Sequence, residues 1–357
     1  VGIVDKGPLG GLCILRGCMP TKTILRSSDI LALMRRAKEF GLHAENLRAD
    51  LAAINDRKNR LIDEFAHYRI EQLKDPRFTL IEEFASFTSP HELNVGNRTI
   101  TAKNFIIATG STIADFPLPG LDTSGFVTSD DALEMCDIPR SMIVLGAGPI
   151  AVELAQFFCR IGTKITLIQR SEHILSTGDE DLARPVEARF RKEGMELFTG
   201  TKLLQVKKSG NHRTVYFLHE GEEKSATAEI LLQALGRKPN IDGLNLDAAR
   251  VTVEKERIAV DEEMRTNVPH IYAVGDVNGL HEIVHIAIAQ GEIAGHNASQ
   301  TDMPPRKFDD RLKTSVTFTD PTVASVGLSE KECRAQNISY LTASYPFDDH
   351  GKSICLG

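Results

Sequence analysis

Two cysteines five positions apart, Cys13 and Cys18, are the residues of this 357-residue sequence best suited to redox chemistry. They lie in a glycine-bracketed segment, residues 10–22. Pro20 suits the first turn of a helix that we expect over residues 22–40. A thiol near a helix N-terminus meets unpaired N–H groups that favour the thiolate. A disulfide here would close a very short loop and add only about 2 kcal/mol of stability, so the spacing favours reversible dithiol chemistry. Two buried cysteines near a turn, or half of a metal site, are the alternatives.

A glycine-rich turn in the middle of the sequence indicates a dinucleotide site. Residues 141–146 predict a buried strand, and Gly146, Gly148 and Ala151 form a GxGxxA pattern that leads into a helix. Residues 164–168 predict the next strand and complete the strand–turn–helix–strand order of such sites. Glycine lets the backbone turn tightly and approach a pyrophosphate at the helix N-terminus, and alanine lets helix and strand pack closely.

The end of that second strand indicates which nicotinamide cofactor is used. An acidic residue there would bond the ribose 2′-hydroxyl of NAD. This sequence has Gln169 and Arg170 instead, and Arg170 could pair with the 2′-phosphate of NADP. The residues therefore favour NADP over NAD. The alternative is that Arg170 is only a solvated surface charge and contacts no cofactor.

A second nucleotide-binding pattern is split between two distant segments. Residues 1–5 predict a strand that ends in an acidic residue, and residues 270–276 predict a strand that ends in Gly275 and Asp276. A helix is expected over residues 283–297. Asp276 could bond a polyol or ribose hydroxyl, and the helix start could stabilise negative charge on a bound ring. A Gly-Asp pair after a strand is also common in a simple turn.

Composition and charge are those of an ordinary globular protein, with 41% hydrophobic and 25% charged residues. A net charge of −7 argues against a nucleic-acid-binding surface. No apolar segment reaches membrane-spanning length and no signal peptide is visible, so we expect a cytoplasmic protein with no membrane and no nucleic-acid partner. Disulfides in that reducing compartment are usually catalytic. The sequence has no second Cys/His pair of the kind that would complete a metal site.

Six segments, in family order, resemble the pyridine nucleotide–disulfide oxidoreductases, which include dihydrolipoamide dehydrogenase, glutathione reductase and mercuric reductase. These segments are residues 10–22, 108–110, 146–153, 234–240, 272–276 and 317–328. The similarity extends over essentially the whole sequence, and its details point to the dihydrolipoamide dehydrogenase and mercuric reductase branch.

The resemblance implies an α/β fold with two Rossmann-like nucleotide-binding domains, one for FAD and one for NAD(P), and the start of a C-terminal α+β dimerisation domain. The FAD domain would comprise residues 1–114 and 241–305 and lack its first strand and glycine loop. The NAD(P) domain would comprise residues 115–240, and residues 306–357 would begin the interface domain. A long helix over residues 50–74 would pack at the interface of a homodimer.

The resemblance also implies roles for individual residues. Cys13 would be the thiol that attacks the substrate, and Cys18 the thiol that lies against the flavin and forms a charge-transfer complex with it. Lys22 and Glu153 would form an ion pair near the flavin. The residues expected to contact the cofactors are Asp5, Gly10, Gly11, Gly110, Gly275, Asp276 and His285 for FAD, and Gly146, Gly148, Ala151, Gln169, Arg170 and Gly236 for NAD(P).

The function implied by the resemblance is FAD-dependent reduction of a small disulfide, such as that of lipoamide, by NAD(P)H. One alternative is a mercuric-ion or other NADPH-dependent reductase that uses the same dithiol. Another is a catalytically inactive flavoprotein that acts as a redox sensor. The family's catalytic His-Glu dyad, and the C-terminal cysteine pair of mercuric reductases, would lie beyond Gly357.

Overall fold

The computed structural model describes residues 1–299 and 302–357 of the chain. Its α-helices are α1 (Leu12–Leu15), α2 (Cys18–Arg35), α3 (Leu51–Leu73), α4 (Leu121–Ser124), α5 (Ser129–Leu133), α6 (Pro149–Ile161), α7 (Glu180–Lys192), α8 (Val284–Ser299), α9 (Glu330–Ala335) and α10 (Gly351–Leu356). Short 3₁₀ turns span Ala37–Phe40, Gly275–Asn278, Asp310–Leu312 and Phe347–Asp349.

The first strands are β1 (Gly2–Val4), β2 (Thr79–Ile81), β3 (Ala85–Ser89), β4 (Glu92–Val95), β5 (Arg98–Thr101), β6 (Phe105–Ile107), β7 (Ser111–Ile113), β8 (Ser141–Leu145), β9 (Lys164–Ile168) and β10 (Glu196–Phe198). The later strands are β11 (Lys202–Ser209), β12 (His212–His219), β13 (Glu222–Ala228), β14 (Ile230–Gln233), β15 (Arg237–Pro239), β16 (Val253–Glu254), β17 (Arg257–Ile258), β18 (Ile271–Ala273), β19 (Thr314–Thr317) and β20 (Val323–Val326).

The central part of the chain is built on a parallel sheet with strand order β10-β9-β8-β14. Strand β8 is apolar and fully buried from Met142 to Leu145, as expected for a parallel strand covered on both faces. Met142 and Val144 pack against α6, whereas Ile143 and Leu145 pack against the antiparallel sheet β11-β12-β13. This alternation buries both faces of β8, and the glycine turn follows at its carboxyl end.

Segments before and after the central sheet form smaller parallel and antiparallel strand groups. Strand β1 pairs with β2 and β6 pairs with β18, in both cases in parallel, and β3-β4-β5 form an antiparallel meander. The predicted long helix is α3, whose N-terminus is capped by Asp50 through a 3.0 Å hydrogen bond from the Ala53 N–H. Helix α2 begins at Cys18 and ends at Arg35, earlier than the expected residue 40, because the chain tightens there into a 3₁₀ turn closed by Gly41 at φ +71°.

The chain enters and leaves the central sheet through two neighbouring strands, β7 and β15, which pair antiparallel. The N–H of Ala114 also donates to the Gly236 carbonyl at 3.1 Å. These strands lie close to the domain boundaries expected at residues 114 and 241, although the division itself stays a prediction. The expected range 241–305 includes residues 300 and 301, which lie outside the described residues.

The segment that follows α8 contains the antiparallel pair β19–β20, which fits the antiparallel layer expected to begin near residue 306. Several of its apolar side chains are exposed, including Val316, Phe318 and Val326. None of the helices in residues 1–299 and 302–357 combines the length and apolar character needed to cross a bilayer.

Candidate active site

The dithiol lies at a tight junction between two helices. Cys13 belongs to α1, Cys18 is the first residue of α2, and both are free thiols. Gly10 and Gly11 lead into α1 with φ of +133° and +82°, where residues with a side chain are strained. A Cβ at Gly17 would lie 3.2 Å from the Cys13 Cα, so a side chain there would crowd the turn. The glycines that flank the motif thus shape the turn that brings the two thiols together.

The two thiols differ in acidity because they are hydrogen-bonded to each other. This hydrogen bond, assisted by the positive charge of Lys22, lowers the pKa of Cys18 to about 7, although burial opposes the change. The same hydrogen bond, together with burial, raises the pKa of Cys13. In the reduced protein a Cys18 thiolate is therefore populated at neutral pH, while Cys13 stays protonated. The arrangement places a stabilised thiolate on the helix that carries Lys22.

Replacing Lys22 with methionine is expected to raise the pKa of Cys18, because the substitution removes a cation that stabilises the thiolate. We expect the thiolate fraction of Cys18 at neutral pH to fall roughly threefold to fivefold. The pH dependence of thiolate absorbance, or of the alkylation rate at Cys18 in the reduced protein, measures this change.

The matched variant Glu153→Gln should move the same pKa in the opposite direction, because the Glu153 carboxylate raises it in the native protein. If both variants shift the titration in one direction, or neither shifts it, the electrostatic explanation of the Cys18 pKa is wrong.

An ion pair joins the helix of the dithiol to the helix of the glycine turn. Lys22 Nζ on α2 lies 2.7 Å from the Oε2 atom of Glu153 on α6, and Glu153 is only 2% exposed. The backbone N–H of Phe318 donates to Glu153 Oε1 at 2.9 Å. The centroid of the Phe318 ring lies 4.9 Å from Lys22 Nζ. A buried carboxylate requires such partners. The expected pair between Lys22 and Glu153 is formed, and Phe318 contacts both members.

Sequence reasoning missed the polar side of α6 that continues from Glu153. Gln156, 2% exposed, accepts the Asp320 N–H at 2.8 Å and donates to the Asp320 carbonyl at 2.9 Å. Arg160, 4% exposed, pairs with Glu193, Asp320 and Asp29. Polar residues at positions 153, 156 and 160 of an otherwise apolar helix were the available signal, since this spacing places them on one face. This face holds the C-terminal segment against the ion pair.

The glycine turn after β8 has the geometry expected of a dinucleotide site. Gly146 has φ +96°, and a Cβ there would overlap the Ala234 carbonyl oxygen. Gly148 is the N-cap of α6 and has no atom within 4 Å of where its Cβ would lie. Ala151 is 1% exposed and packs in the core between helix and sheet. The space beside Gly148 at the start of α6 is therefore open, which suits the approach of an anion to the helix N-terminus.

The two residues that follow β9, Gln169 and Arg170, differ in burial. Gln169 is buried, and its Nε2 lies 3.5 Å from Ser176 Oγ. Arg170 is exposed and forms no hydrogen bond or ion pair with any residue that the structure describes. Arg170 is thus the side chain of the two that can reach a ligand in solution.

Two residues expected at the flavin, Gly110 and Asp276, lie beside the strand pair β7–β15. Gly110 precedes β7 with φ +71° and Gly236 precedes β15 with φ +121°, and neither would meet an atom within 4 Å of its Cβ. Ser111 Oγ donates to Asp276 Oδ2 at 2.6 Å and accepts from Arg237 Nε at 2.8 Å. This relay, which sequence reasoning missed, orients the Asp276 carboxylate at the end of β18.

The remaining expected cofactor residues are placed as follows. The N–H of Gly275 donates to Gln290 Oε1 at 2.7 Å. Asp5 follows β1, and its Oδ1 accepts a backbone N–H from two residues further on, at 2.8 Å. His285 is exposed on α8, with Nε2 2.6 Å from Thr314 Oγ1 on β19. His285 therefore contacts the C-terminal segment through Thr314. A flavin contact for this residue stays a prediction.

Comparison with known proteins agrees with this geometry. The family model described as pyridine nucleotide-disulphide oxidoreductase matches residues 1–291. The chain is 35% identical over 350 residues to a mercuric reductase from Staphylococcus aureus, covering 98% of this chain and 64% of that relative. It is 31% identical over 358 residues to a dihydrolipoyl dehydrogenase from Bacillus subtilis (strain 168), covering 99% of this chain and 77% of that relative. The chain spans 55–65% of the length of three mercuric reductases that it matches.

A similar solved structure is the Cu(II) complex of the HOCl-induced flavoprotein disulfide reductase RclA from Escherichia coli. It superposes with a TM-score of 0.80 at 25% sequence identity, covering 94% of this chain and 73% of that chain. The match of the family model to most of the chain, together with the dithiol, the glycine turn and the ion pair that joins them, shows that this chain belongs to the pyridine nucleotide-disulphide oxidoreductase family.

Proposed function

We propose that the protein is an FAD-dependent NAD(P)H:disulfide oxidoreductase in which Cys13 and Cys18 pass electrons to a small disulfide. One observation carries the proposal: the ion pair between Lys22 and Glu153 joins the helix that begins with the redox thiolate to the helix that begins at the nucleotide turn. This contact supports the proposal, because it would bring nicotinamide chemistry and thiol chemistry together on two neighbouring helices.

The residues on each side fit the two cofactors. For NAD(P), the open backbone at Gly148 and the N–H groups of α6 suit a pyrophosphate. Gly146 and Ala151 allow the turn and the helix to pack closely, and Gly236 leaves open space at its Cβ position. For FAD, Asp5 and Asp276 offer carboxylates to hydroxyl groups, and Gly10, Gly11, Gly110 and Gly275 allow close approach of the backbone. When bound, FAD would accept a hydride equivalent from nicotinamide and supply two electrons to the cysteine pair.

The cysteines divide the reduction of a disulfide into two exchanges. Cys13 passes its proton to the neighbouring Cys18 thiolate, attacks one sulfur of the substrate and forms a mixed disulfide. The first substrate thiolate is released, takes this proton from Cys18 and departs as a thiol. The Cys18 thiolate then attacks Cys13, releases the second thiolate and closes the Cys13–Cys18 disulfide. The low pKa of Cys18 suits this second step, because a thiolate is already present at neutral pH. Two electrons from NAD(P)H restore the dithiol.

Thiol labelling tests the electron path. The flavin-loaded protein is incubated anaerobically with NADPH and alkylated, and the modified cysteines are identified by mass spectrometry. We expect Cys13 and Cys18 to be unreactive after oxidation and alkylated after reduction, while Cys136 is alkylated in both states because it is an exposed free thiol. If NADPH leaves Cys13 and Cys18 unreactive, the proposed path is wrong.

We further propose that NADPH is preferred over NADH, because Arg170 is exposed at the end of β9 and free to pair with a 2′-phosphate. Replacing Arg170 with alanine should weaken NADPH binding about tenfold or more and leave NADH binding nearly unchanged. The control Arg140→Ala alters an exposed arginine just before β8, at the opposite end of the sheet, and should change neither affinity. Equal losses for both nucleotides in Arg170→Ala would contradict the proposal.

A second candidate function is reduction of mercuric ions by the same dithiol. It is favoured by the 35% identity to relatives named mercuric reductase and by the affinity of thiolates for soft metals. NADPH consumption that depends on Hg²⁺ but on no disulfide would establish it. A flavoprotein that binds both nucleotides but turns over neither substrate would instead support the redox-sensor alternative.

We expect the working form to be a homodimer in the cytoplasm, acting on a small-molecule disulfide such as lipoamide. Exposed apolar side chains on β19 and beside it, Val316 and Phe318, support an interface at the C-terminal segment. A reducing compartment is expected because the reversible dithiol must be free to cycle.

A further inference from the structure

A cleft opens at the carboxyl ends of β8 and β14, beside the start of α6. It has a volume of about 110 Å³ and is lined chiefly by small and apolar groups. The lining residues that matter here are Ile113, Gly148, Ile150, Gly236, Arg237 and Glu282. Ligands of parallel α/β sheets bind in such crevices at the carboxyl ends of the strands.

The strand order shows which half of a dinucleotide this cleft would receive, given the proposed NAD(P) site. Strand β9 lies on one side of β8 and ends next to Arg170, where the adenosine half is expected. Strand β14 lies on the other side of β8 and leads to Gly236 in the cleft wall. A pyrophosphate at the start of α6 would therefore direct the nicotinamide half into the cleft.

Glu282 is the one acidic group among the cleft-lining residues that the structure describes. The neighbouring Arg237 is held by two hydrogen bonds to Ser111, at 2.8 and 2.9 Å, and Ser111 in turn donates to Asp276. Glu282 forms no hydrogen bond or ion pair with any described residue. Glu282 borders the cleft and its side chain is solvent-exposed. Nearby protein atoms and the Asp276 carboxylate raise the pKa of Glu282, whereas Arg237 opposes this. The Glu282 carboxylate is thus available to a ligand in the cleft.

We propose that Glu282 is a specificity-determining residue that makes the cleft favour the oxidised nicotinamide over the reduced one. The oxidised ring carries a positive charge, whereas the reduced ring is neutral. A carboxylate beside the ring attracts only the cation, by Coulomb interaction. Glu282 therefore binds the product of hydride donation more tightly than the donor, without contact to the thiols.

The test compares two ligands that differ in ring charge but share every phosphate. The flavin-loaded protein is titrated by calorimetry, at mildly alkaline pH, with NADP⁺ and with tetrahydro-NADP, a neutral-ring analogue that cannot donate hydride. Glu282→Gln should weaken NADP⁺ binding about tenfold and change tetrahydro-NADP binding less than about twofold. Glu223→Gln, an exposed position on β13 away from the cleft, should change neither.

Each other outcome has a defined meaning. Equal weakening of both ligands would overturn the proposal, because it would show a role in shape or packing and not in charge recognition. Unchanged affinities in Glu282→Gln would also overturn it. If the unsubstituted protein binds neither ligand, the nucleotide site of the proposed function fails first, and the inference fails with it.

Discussion

Replacing Cys13 with serine is expected to lower the rate of disulfide reduction at least about 10³-fold, while NADPH still reduces the bound flavin. The hydroxyl of serine is a poor nucleophile towards sulfur and cannot form the mixed disulfide. Cys13 lies on α1, whereas the ion pair that links the redox helix to the nucleotide turn is formed by Lys22 on α2. The substitution therefore removes the exchange step and leaves the connection to the nucleotide site intact.

Steady-state turnover and the rate of flavin bleaching measure the two half-reactions separately. Cys136→Ser is the control, because Cys136 is exposed and remote in sequence from the redox motif. It should retain unaltered turnover. Disulfide reduction that persists in Cys13→Ser, or flavin reduction that is lost with it, would refute the role given to this thiol.

The pair Gly146→Ala and Gly148→Ala is expected to separate folding from nucleotide binding. Gly146 has φ +96° and no room for a Cβ beside the Ala234 carbonyl, so alanine should cost about 2–4 kcal/mol of stability and distort the turn. Gly148 has φ −73° and open space around its Cβ position, so alanine should fold normally. The added methyl group would nevertheless occupy the surface that a pyrophosphate must approach, and NADPH binding should weaken about tenfold or more.

Thermal unfolding and equilibrium titration with NADP⁺ measure the two effects. We expect Gly146→Ala to unfold several degrees lower, and Gly148→Ala to unfold at the original temperature with weakened binding. Full nucleotide affinity in Gly148→Ala would show that the turn does not receive the pyrophosphate.

Features that depend on local sequence could be predicted. The strand of residues 141–146, the turn at Gly146 and the following helix are found as expected. Each depends on a few neighbouring residues: a buried apolar run for the strand, a positive-φ glycine for the turn, and a small residue near the helix N-terminus. The helix expected over residues 50–74 is α3, since Asp50 caps it and Lys74 ends it. The pair between Lys22 and Glu153 followed only from family resemblance, because the two residues are 131 positions apart.

Features that depend on distant segments could not be predicted. The relay from Arg237 through Ser111 to Asp276 joins three segments that meet only when β7 pairs with β15. The contact of Phe318 with the ion pair requires the C-terminal segment to lie on the polar face of α6. The helix after Cys18 ended early because a 3₁₀ turn continued the chain to Gly41, a local geometry that apolar periodicity does not reveal.

The most direct test of the central claim is an anaerobic titration of the flavin-loaded protein with NADPH, followed by visible absorbance. If flavin and dithiol form one electron path, the two-electron-reduced protein should show a long-wavelength charge-transfer band, and Cys18→Ser should abolish it. Cys13→Ser should show the band before NADPH is added, while its flavin is oxidised, and lose it as NADPH reduces the flavin. The thiolate at Cys18, with its lowered pKa, is the group expected to produce this band. A flavin that NADPH reduces fully with no such band, or a band that survives in Cys18→Ser, would contradict the account.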